Sequence, residues 1–354
     1  MSSTKKITII HPISNYKQVN TKKGVSQYSK YLSNHGHDVE LIVYQTDPKE
    51  SDAINIEGVT VRSIATTRIW KKILITALIL IFSQSSLVIT QFFGKKDLIW
   101  APICRIKGIK YAIIADHTPH QDKIPKGIYY KTKIKLGILS PLIHTFFVRT
   151  ADSRDELIFI WPQIESKTQI LPSGVDDAYF SINNKTHEAN TLIYVGRLID
   201  DKNVEILLEA FNEIKDEYSD WELHIAGIGP KNYDIKDRRR IIFRGFLQEE
   251  ELLELYSQAD ILCLPSLHES FSNVLLEAAA TQTAVVSTKV GIAPELLEEA
   301  GLIIEKNDVS DTKMKLSKYM ENTKLREKDA KELREKAKRY KLSELSSEIK
   351  ELIQ

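Results

Sequence analysis

Short apolar runs alternate with amphipathic stretches along most of this chain, the pattern of parallel strands joined by helices. Lys6–His11 reads as a first strand. Beyond a polar loop, Val25, Tyr28, Tyr31 and Leu32 mark one face of a helix that begins just after Gly24, and His37–Tyr44 is the next strand. Strand, glycine-bearing loop and helix make a unit of the doubly wound type, whose ligands sit beyond the strand ends. The runs K-Y-A-I-I-A, F-F-V, T-L-I-Y-V, W-E-L-H-I-A, I-I-F-R-G, D-I-L-C-L and A-V-V-S-T continue the strand pattern. An amphipathic helix on Val204, Leu207, Leu208 and Phe211 and the strong helix former V-L-L-E-A-A-A alternate with them. After Asp308 the composition turns to lysine and glutamate, which reads as exposed terminal helices.

One stretch breaks the alternation. Ile73–Gly94 has no charge and is flanked by Lys71, Lys72, Lys95 and Lys96. Its length suits a bilayer span of about 20 residues, but Ser83, Gln84, Ser85 and Ser86 interrupt it. It reads as a buried helix over Ile73–Phe82, then a second segment leading to a strand in D-L-I-W-A. A lipid contact through Trp70 and the neighbouring lysines, and a true span, stand as alternatives.

The length of 354 residues implies two domains. A polar segment near 172–190, rich in Asn, reads as the linker, dividing the chain into 1–172 and 173–354. The net charge of +1 hides a split: residues 1–172 hold 24 Lys and Arg against 13 Asp and Glu, and the totals of 49 and 48 leave 25 against 35 for the remainder. The basic first half suggests an anionic partner, a membrane surface or an acidic acceptor; two domains attracting each other is the simpler alternative. Nucleic acid does not fit a chain that is not basic as a whole. Cys104 and Cys263 lie far apart and form no C-x-x-C pair, which indicates a reducing compartment. No Asp-x-Asp triplet occurs, so the usual hint of a metal-held diphosphate is missing.

The chemistry concentrates between Pro265 and Glu277, P-S-L-H-E-S-F-S-N-V-L-L-E. A strand, a tight turn and a helix are expected there, with Ser270 and Ser272 at the helix N-cap and the amides near Phe271, Ser272, Asn273 and Val274 pointing out of the strand end, where phosphate is favoured. On one continuous helix Glu269 and Glu277 would lie about 80° apart. Glu269 is therefore placed on the turn and Glu277 on the helix. Gly196, Arg197 and Lys202 fall on the loop after another strand, a forked guanidinium and a mobile ammonium suited to a diphosphate. His117, and second His120, follow the strand K-Y-A-I-I-A. The H-I-A-G-I-G-P glycines open no dinucleotide fingerprint, which speaks against a nicotinamide enzyme.

Taken together with G-R-L-I-D-D-K-N, H-I-A-G-I-G-P, F-R-G-F-L and L-P-S-G-V-D in the same order, this stretch resembles the Glu-x7-Glu motif of the retaining glycosyltransferases of family 4. The resemblance covers the second half well and the first half weakly. It implies the GT-B fold, two Rossmann-like doubly wound α/β domains facing each other across a cleft, with an acceptor-binding first domain and a nucleotide-sugar-binding second one. It implies that a C-terminal helix from about 340 packs back on the first domain. Its activity is metal-independent hexosyl transfer from a UDP-, GDP- or ADP-sugar to a glycan or glycolipid acceptor, with no cofactor. By the same resemblance Glu277 binds the ribose, Glu269 and His117 attend the donor sugar, Arg197 and Lys202 hold the diphosphate, Phe246 stacks on the base, and Gly24 touches acceptor or phosphate. The enzyme is expected in the cytoplasm, peripheral on the inner membrane face. Lys23, Ser173, Ser270 and Ser272 depart from the family's usual residues. A non-catalytic nucleotide-sugar-binding or partner subunit, and an enzyme that epimerises or hydrolyses the donor, are the competing readings.

Overall fold

The computed structural model describes residues 4–11, 25–45, 56–66, 68–91, 94–115, 133–134, 136–182, 190–231, 233 and 239–345. The chain divides after Pro172 into two compact units. Segment 173–182, expected as linker, belongs to the second: Val175 bridges to Lys341, and Tyr179 and Phe180 are buried.

Among the described residues, the first unit is built on seven strands: β1 Lys6–His11, β2 Asp38–Gln45, β3 Val59–Ala65, β4 Leu87–Gln91, β5 Lys110–Ile114, β6 Thr145–Val148 and β7 Thr168–Ile170. Their order is β3-β2-β1-β4-β5-β6-β7, and all neighbours run parallel. Four of its helices are α1 Val25–Asn34, α2 Ile69–Phe82, α3 Asp97–Ile106 and α4 Ala151–Ile160. Helix α1 starts directly after Gly24, as the pattern predicts, and buries Tyr28, Tyr31 and Leu32.

Two expectations in this unit are corrected. D-L-I-W-A is the first half of α3 and not a strand. The Asp97 carboxylate accepts the Gly94 N–H at 2.6 Å, which starts a helix there, and Trp100, Ala101 and Cys104 turn inward at helical spacing. The strand is Leu87–Gln91 instead, fully inserted between β1 and β5. Nor is α2 a buried helix: only Thr76, Ala77 and Leu80 are buried, while Leu74, Leu78 and Phe82 face solvent.

Among the described residues, the second unit has six strands: β8 Asn190–Val195, β9 Trp221–Ala226, β10 Ile241–Gly245, β11 Ile261–Leu264, β12 Ala284–Thr288 and β13 Leu302–Ile304. They pair in parallel in the order β10-β9-β8-β11-β12-β13. Helices α5 Val204–Ile214, α6 Glu249–Gln258, α7 Asn273–Ala280, α8 Ala293–Leu296, α9 Val309–Glu321 and α10 Thr323–Ala337 connect or cover them. Strands covered on both faces favour apolar side chains, so β11 reads as an unbroken run and β8 and β12 carry apolar stretches at 192–195 and 284–286, with Thr191, Ser287 and Thr288 buried as hydrogen-bonding exceptions. The lysine-rich end packs more closely than its composition suggests. Arg326, Asp329 and Arg334 of α10 are buried, with the Tyr319 hydroxyl donating to Asp329 at 2.7 Å and Arg334 donating to the Ile182 carbonyl at 2.6 Å. The expected return of the chain end to the first unit lies partly beyond residue 345, outside the described residues.

Candidate active site

The strand order of the second unit reverses between β8 and β11. Open parallel sheets hold ligands beyond the carboxyl ends of their strands at such a point. The loop after β8 carries Gly196, Arg197 and Lys202, and the loop after β11 carries Glu269 and leads into α7.

The two loops are joined. The Leu267 N–H donates to the Asp201 carbonyl at 2.8 Å, and Lys202 Nζ donates to Glu269 Oε1 at 2.6 Å. The pair is largely enclosed, with the two side chains 13% and 12% exposed. Ser266 Oγ donates to the same carboxylate oxygen at 2.9 Å. Arg197 is exposed beside this pair. The buried Tyr194 hydroxyl donates to the Arg197 carbonyl at 3.0 Å, and burial, then the neighbouring Glu269 carboxylate, raise the Tyr194 pKa. One tyrosine thus senses both the arginine backbone and the glutamate.

Close backbone contact supports the arginine loop. Gly196 N–H donates to the Ala226 carbonyl and Leu198 N–H to the Ile228 carbonyl, at 2.9 and 3.0 Å. A Cβ on Gly227 would stand 1.8 Å from the Gly196 oxygen, and one on Gly229 2.0 Å from the Leu198 oxygen. The H-I-A-G-I-G-P glycines are therefore required by the approach of one loop to another. Gly227 N–H also donates to the Gly245 carbonyl at 2.7 Å, which ties in the end of β10, where Phe246 follows and is exposed.

Glu269 sits on the turn and Glu277 on α7, as the spacing predicts. Yet Glu277 is only 2% exposed. The Tyr256 hydroxyl of α6 donates to its Oε2 at 3.1 Å, and Tyr256 meets Tyr179 edge-on at 5.7 Å. Burial and the Glu277 carboxylate push both phenols well above their ordinary range. Phe271 is buried as well, and Ile292 N–H donates to its carbonyl at 2.8 Å. Asn273 and Val274 open α7.

The expected serine cap is corrected. Ser272 precedes α7 at φ 75°, its side chain makes no cap hydrogen bond, and its buried hydroxyl has no partner among the described residues. A left-handed backbone aims the side chain away from the helix amides, so the residue cannot cap in the usual way. Sequence reading passed over Ser266, Tyr194, Tyr256 and Gly291. Gly291 has φ 56°, and a Cβ there would meet the Phe271 oxygen at 2.5 Å. A glycine after a strand was a legible signal; Tyr256, on a different helix, carried none. Among the described residues no three His, Cys, Asp or Glu side chains converge as a metal site. His117, His120, Lys23 and Gly24 lie outside the described residues.

Residues 175–340 match the family model described as glycosyl transferases group 1. The second unit is thus similar to that family over this stretch. The GPI3 subunit of phosphatidylinositol N-acetylglucosaminyltransferase from Saccharomyces cerevisiae is 28% identical over 172 residues, 46% of this chain and 37% of that protein. Sulfoquinovosyl transferase SQD2 of Arabidopsis thaliana is 27% identical over 204 residues, 52% of this chain and 39% of that one. The matched stretch spans less than half the length of these relatives. Solved structures align over nearly the whole chain. Sucrose-phosphate synthase from Thermosynechococcus elongatus superposes with a TM-score of 0.77 at 18% identity, covering 99% of this chain and 98% of that one. Anabaena HepE in complex with UDP gives 0.77 at 13% identity, covering 98% and 99%. The fold is GT-B, with two parallel-sheet, Rossmann-like α/β domains.

Proposed function

We propose that this protein is a retaining, metal-independent hexosyltransferase of the Glu-x7-Glu, family 4 type that moves a sugar from a nucleoside diphosphate to a glycan or glycolipid acceptor. The observation that carries the reading is the Lys202–Glu269 pair at 2.6 Å, enclosed at the switch point of the second sheet beside the exposed Arg197. HepE, with which the chain shares its fold, binds UDP and UDP-glucose.

Arg197 and Lys202 take the diphosphate, with the amides around Phe271, Ser272, Asn273 and Val274 at the head of α7. Charge grows on the leaving diphosphate as the glycosidic bond lengthens, and fixed cations and amides aimed at that charge lower the barrier. Glu269, held by Lys202 and Ser266, orients the donor sugar; Glu277, held by Tyr256, takes the ribose hydroxyls. Phe246 stacks on the base, Gly196 lets the diphosphate approach the backbone, His117 attends the sugar, and Gly24 lies on the acceptor side. The first unit receives the acceptor. The enzyme works in the cytoplasm on cell-surface glycan or glycolipid synthesis, where two buried free thiols remain reduced.

Calorimetric titration with UDP, GDP and ADP, without added metal, tests the donor class. Preference for one nucleotide, weakened in Arg197→Ala, supports the reading, and absence of binding to all three overturns it. Incubation with the matching nucleotide sugar and analysis of the anomeric product then separates transfer from hydrolysis or epimerisation. Binding without any turnover leaves a non-catalytic subunit.

A further inference from the structure

We propose that the outward face of α2, continued by the exposed positions of α3, docks on an anionic lipid bilayer. The inference rests on the first unit alone and is independent of the chemistry assigned to the second.

A helix covering a sheet in water ordinarily presents a polar outer face. Helix α2 does not. Its buried positions are Thr76, Ala77 and Leu80, and beyond exposed Lys71 in the first turn its outward positions Leu74, Ile75, Leu78, Ile81 and Phe82 are all apolar, Phe82 being 81% exposed. Spaced at i, i+1, i+4, i+7 and i+8, they form one stripe. Helix α3 extends it sideways. Trp100 Nε1 donates to the Ile73 carbonyl at 3.1 Å, and Lys107 Nζ donates to the Ile81 and Ser83 carbonyls at 2.5 and 2.6 Å. Beginning is held to beginning and end to end, so the helices run side by side in the same direction. Leu98, Ile99 and Ile106 of α3 are exposed, Ile106 by 86%. A contiguous apolar surface of this kind marks an interaction site.

Charge selects the occupant. Between Glu57 and Asp97 the chain contains no acidic residue, and its charged residues are Arg62, Arg68, Lys71, Lys72, Lys95 and Lys96. Arg62 is engaged by Glu40 at 2.7 Å and Lys96 by Asp97 at 3.2 Å. Arg68, Lys71 and Lys72 stand at the N-terminus of α2, where the helix dipole already disfavours a cation, with no acid in the first turn to offset them. Exposed Lys95 lies just before α3, at the same end. Trp70 is exposed there, with Lys71 Nζ 5.6 Å from its ring centre. An apolar stripe with a tryptophan at one rim, and with Arg68, Lys71, Lys72 and Lys95 there forming no ion pair among the described residues, suits the boundary between acyl chains and anionic headgroups. A second copy of the chain would bring another acid-free rim to the same face.

Helix α2 has 14 residues and is about 21 Å long, short of a hydrocarbon core of about 30 Å. Among the described residues no helix is long and apolar enough to cross a membrane. The helix therefore lies in the plane of the interface.

Flotation of the full chain with phosphatidylcholine vesicles, with and without phosphatidylglycerol, at low and high salt, tests the proposal. Binding is expected only with phosphatidylglycerol and is expected to weaken with salt. Lys71→Ser with Lys95→Ser should lower partition about 25-fold. Leu78→Glu with Phe82→Glu should abolish it, while Met314→Glu, an exposed apolar residue on α9, should leave it unchanged. Circular dichroism and nucleotide titration confirm that each variant is folded. Wild-type protein that stays with the unbound fraction at low salt overturns the proposal. So does a Leu78/Phe82 variant that floats like wild type. A dimer in gel filtration that this variant dissociates, together with no flotation, assigns the face to a second copy.

Discussion

Lys202 Nζ and Glu269 Oε1 stand 2.6 Å apart across 67 residues of chain, one on the loop after β8 and the other on the loop after β11. The contact crosses the point where the sheet order reverses and ties the two loops together. If a donor diphosphate enters, it competes with Glu269 for the ammonium. Lys202→Met is expected to weaken nucleotide diphosphate binding by about 1.5–3 kcal/mol, the worth of one charge-assisted hydrogen bond. Glu269→Gln is expected to bind the nucleotide within a few-fold of wild type and to lose about two orders of magnitude in kcat. Calorimetry and steady-state rates on the two variants check the contrast; equal loss of binding in both would remove Glu269 from the transfer step.

Tyr256→Phe removes the hydroxyl that donates to the buried Glu277 carboxylate at 3.1 Å. A buried acceptor that loses one donor costs about 1–3 kcal/mol. The midpoint of urea unfolding is expected to fall accordingly. Glu277→Gln, which keeps an acceptor oxygen for Tyr256, should lose less stability and more nucleotide affinity than Tyr256→Phe. A reversed order would make Glu277 a packing residue only.

Ser272→Gly should stabilise the protein. Ser272 holds φ 75° while its hydroxyl is buried without a partner among the described residues. A left-handed conformation costs a non-glycine residue about 1–2 kcal/mol, and glycine removes both that cost and the unsatisfied group. A rise in the thermal midpoint is the expected result. A fall would mean that the serine hydroxyl has a structural partner such as an ordered water.

Acid should weaken the folded state through His224. Burial lowers its pKa from the ordinary 6.5, opposed by the Glu222 carboxylate 3.0 Å from Nε2 and assisted by Arg244 3.1 Å from Nδ1. The unfolded chain then binds the proton more tightly than the folded one. This contribution to stability is complete above the unfolded pKa and is lost as pH falls through the lower, folded value. His144 is exposed and acts in the same sense more weakly, its pKa lowered by partial desolvation and by the nearby Lys110 and Lys167. Urea unfolding between pH 8 and 5, a range set about the usual histidine pKa, should show declining stability that is shallower in His224→Gln. An unchanged slope would rule His224 out as the source.

The alternation of apolar runs and amphipathic stretches was enough to determine a doubly wound α/β protein. Cover on both faces of the sheet favours apolar side chains, so β11 is written in the chain as an unbroken apolar run and β8 and β12 carry apolar stretches at 192–195 and 284–286. The placement of Glu269 on a turn and Glu277 on a helix was legible as well, because eight residues at helical pitch do not return to the same face. Local pattern failed where the partner was remote. Leu87–Gln91 and Asp97–Ala101 are both short and apolar, and only their pairing separated strand from helix: the first fills the gap between β1 and β5, and the second is started by Asp97 on the Gly94 amide. The same holds for α2, whose composition suits a core helix and whose outer face is exposed among the described residues. The hydrogen-bond partner of buried Glu277 is Tyr256 from α6, and the need for Gly227 comes from the Gly196 carbonyl across a strand end. The sequence by itself determined which residues can form strands, turns and charged ends, since those preferences act within a few residues. Tertiary structure alone decided which of them meet, because contacts between remote segments depend on sheet order and not on any short stretch of chain.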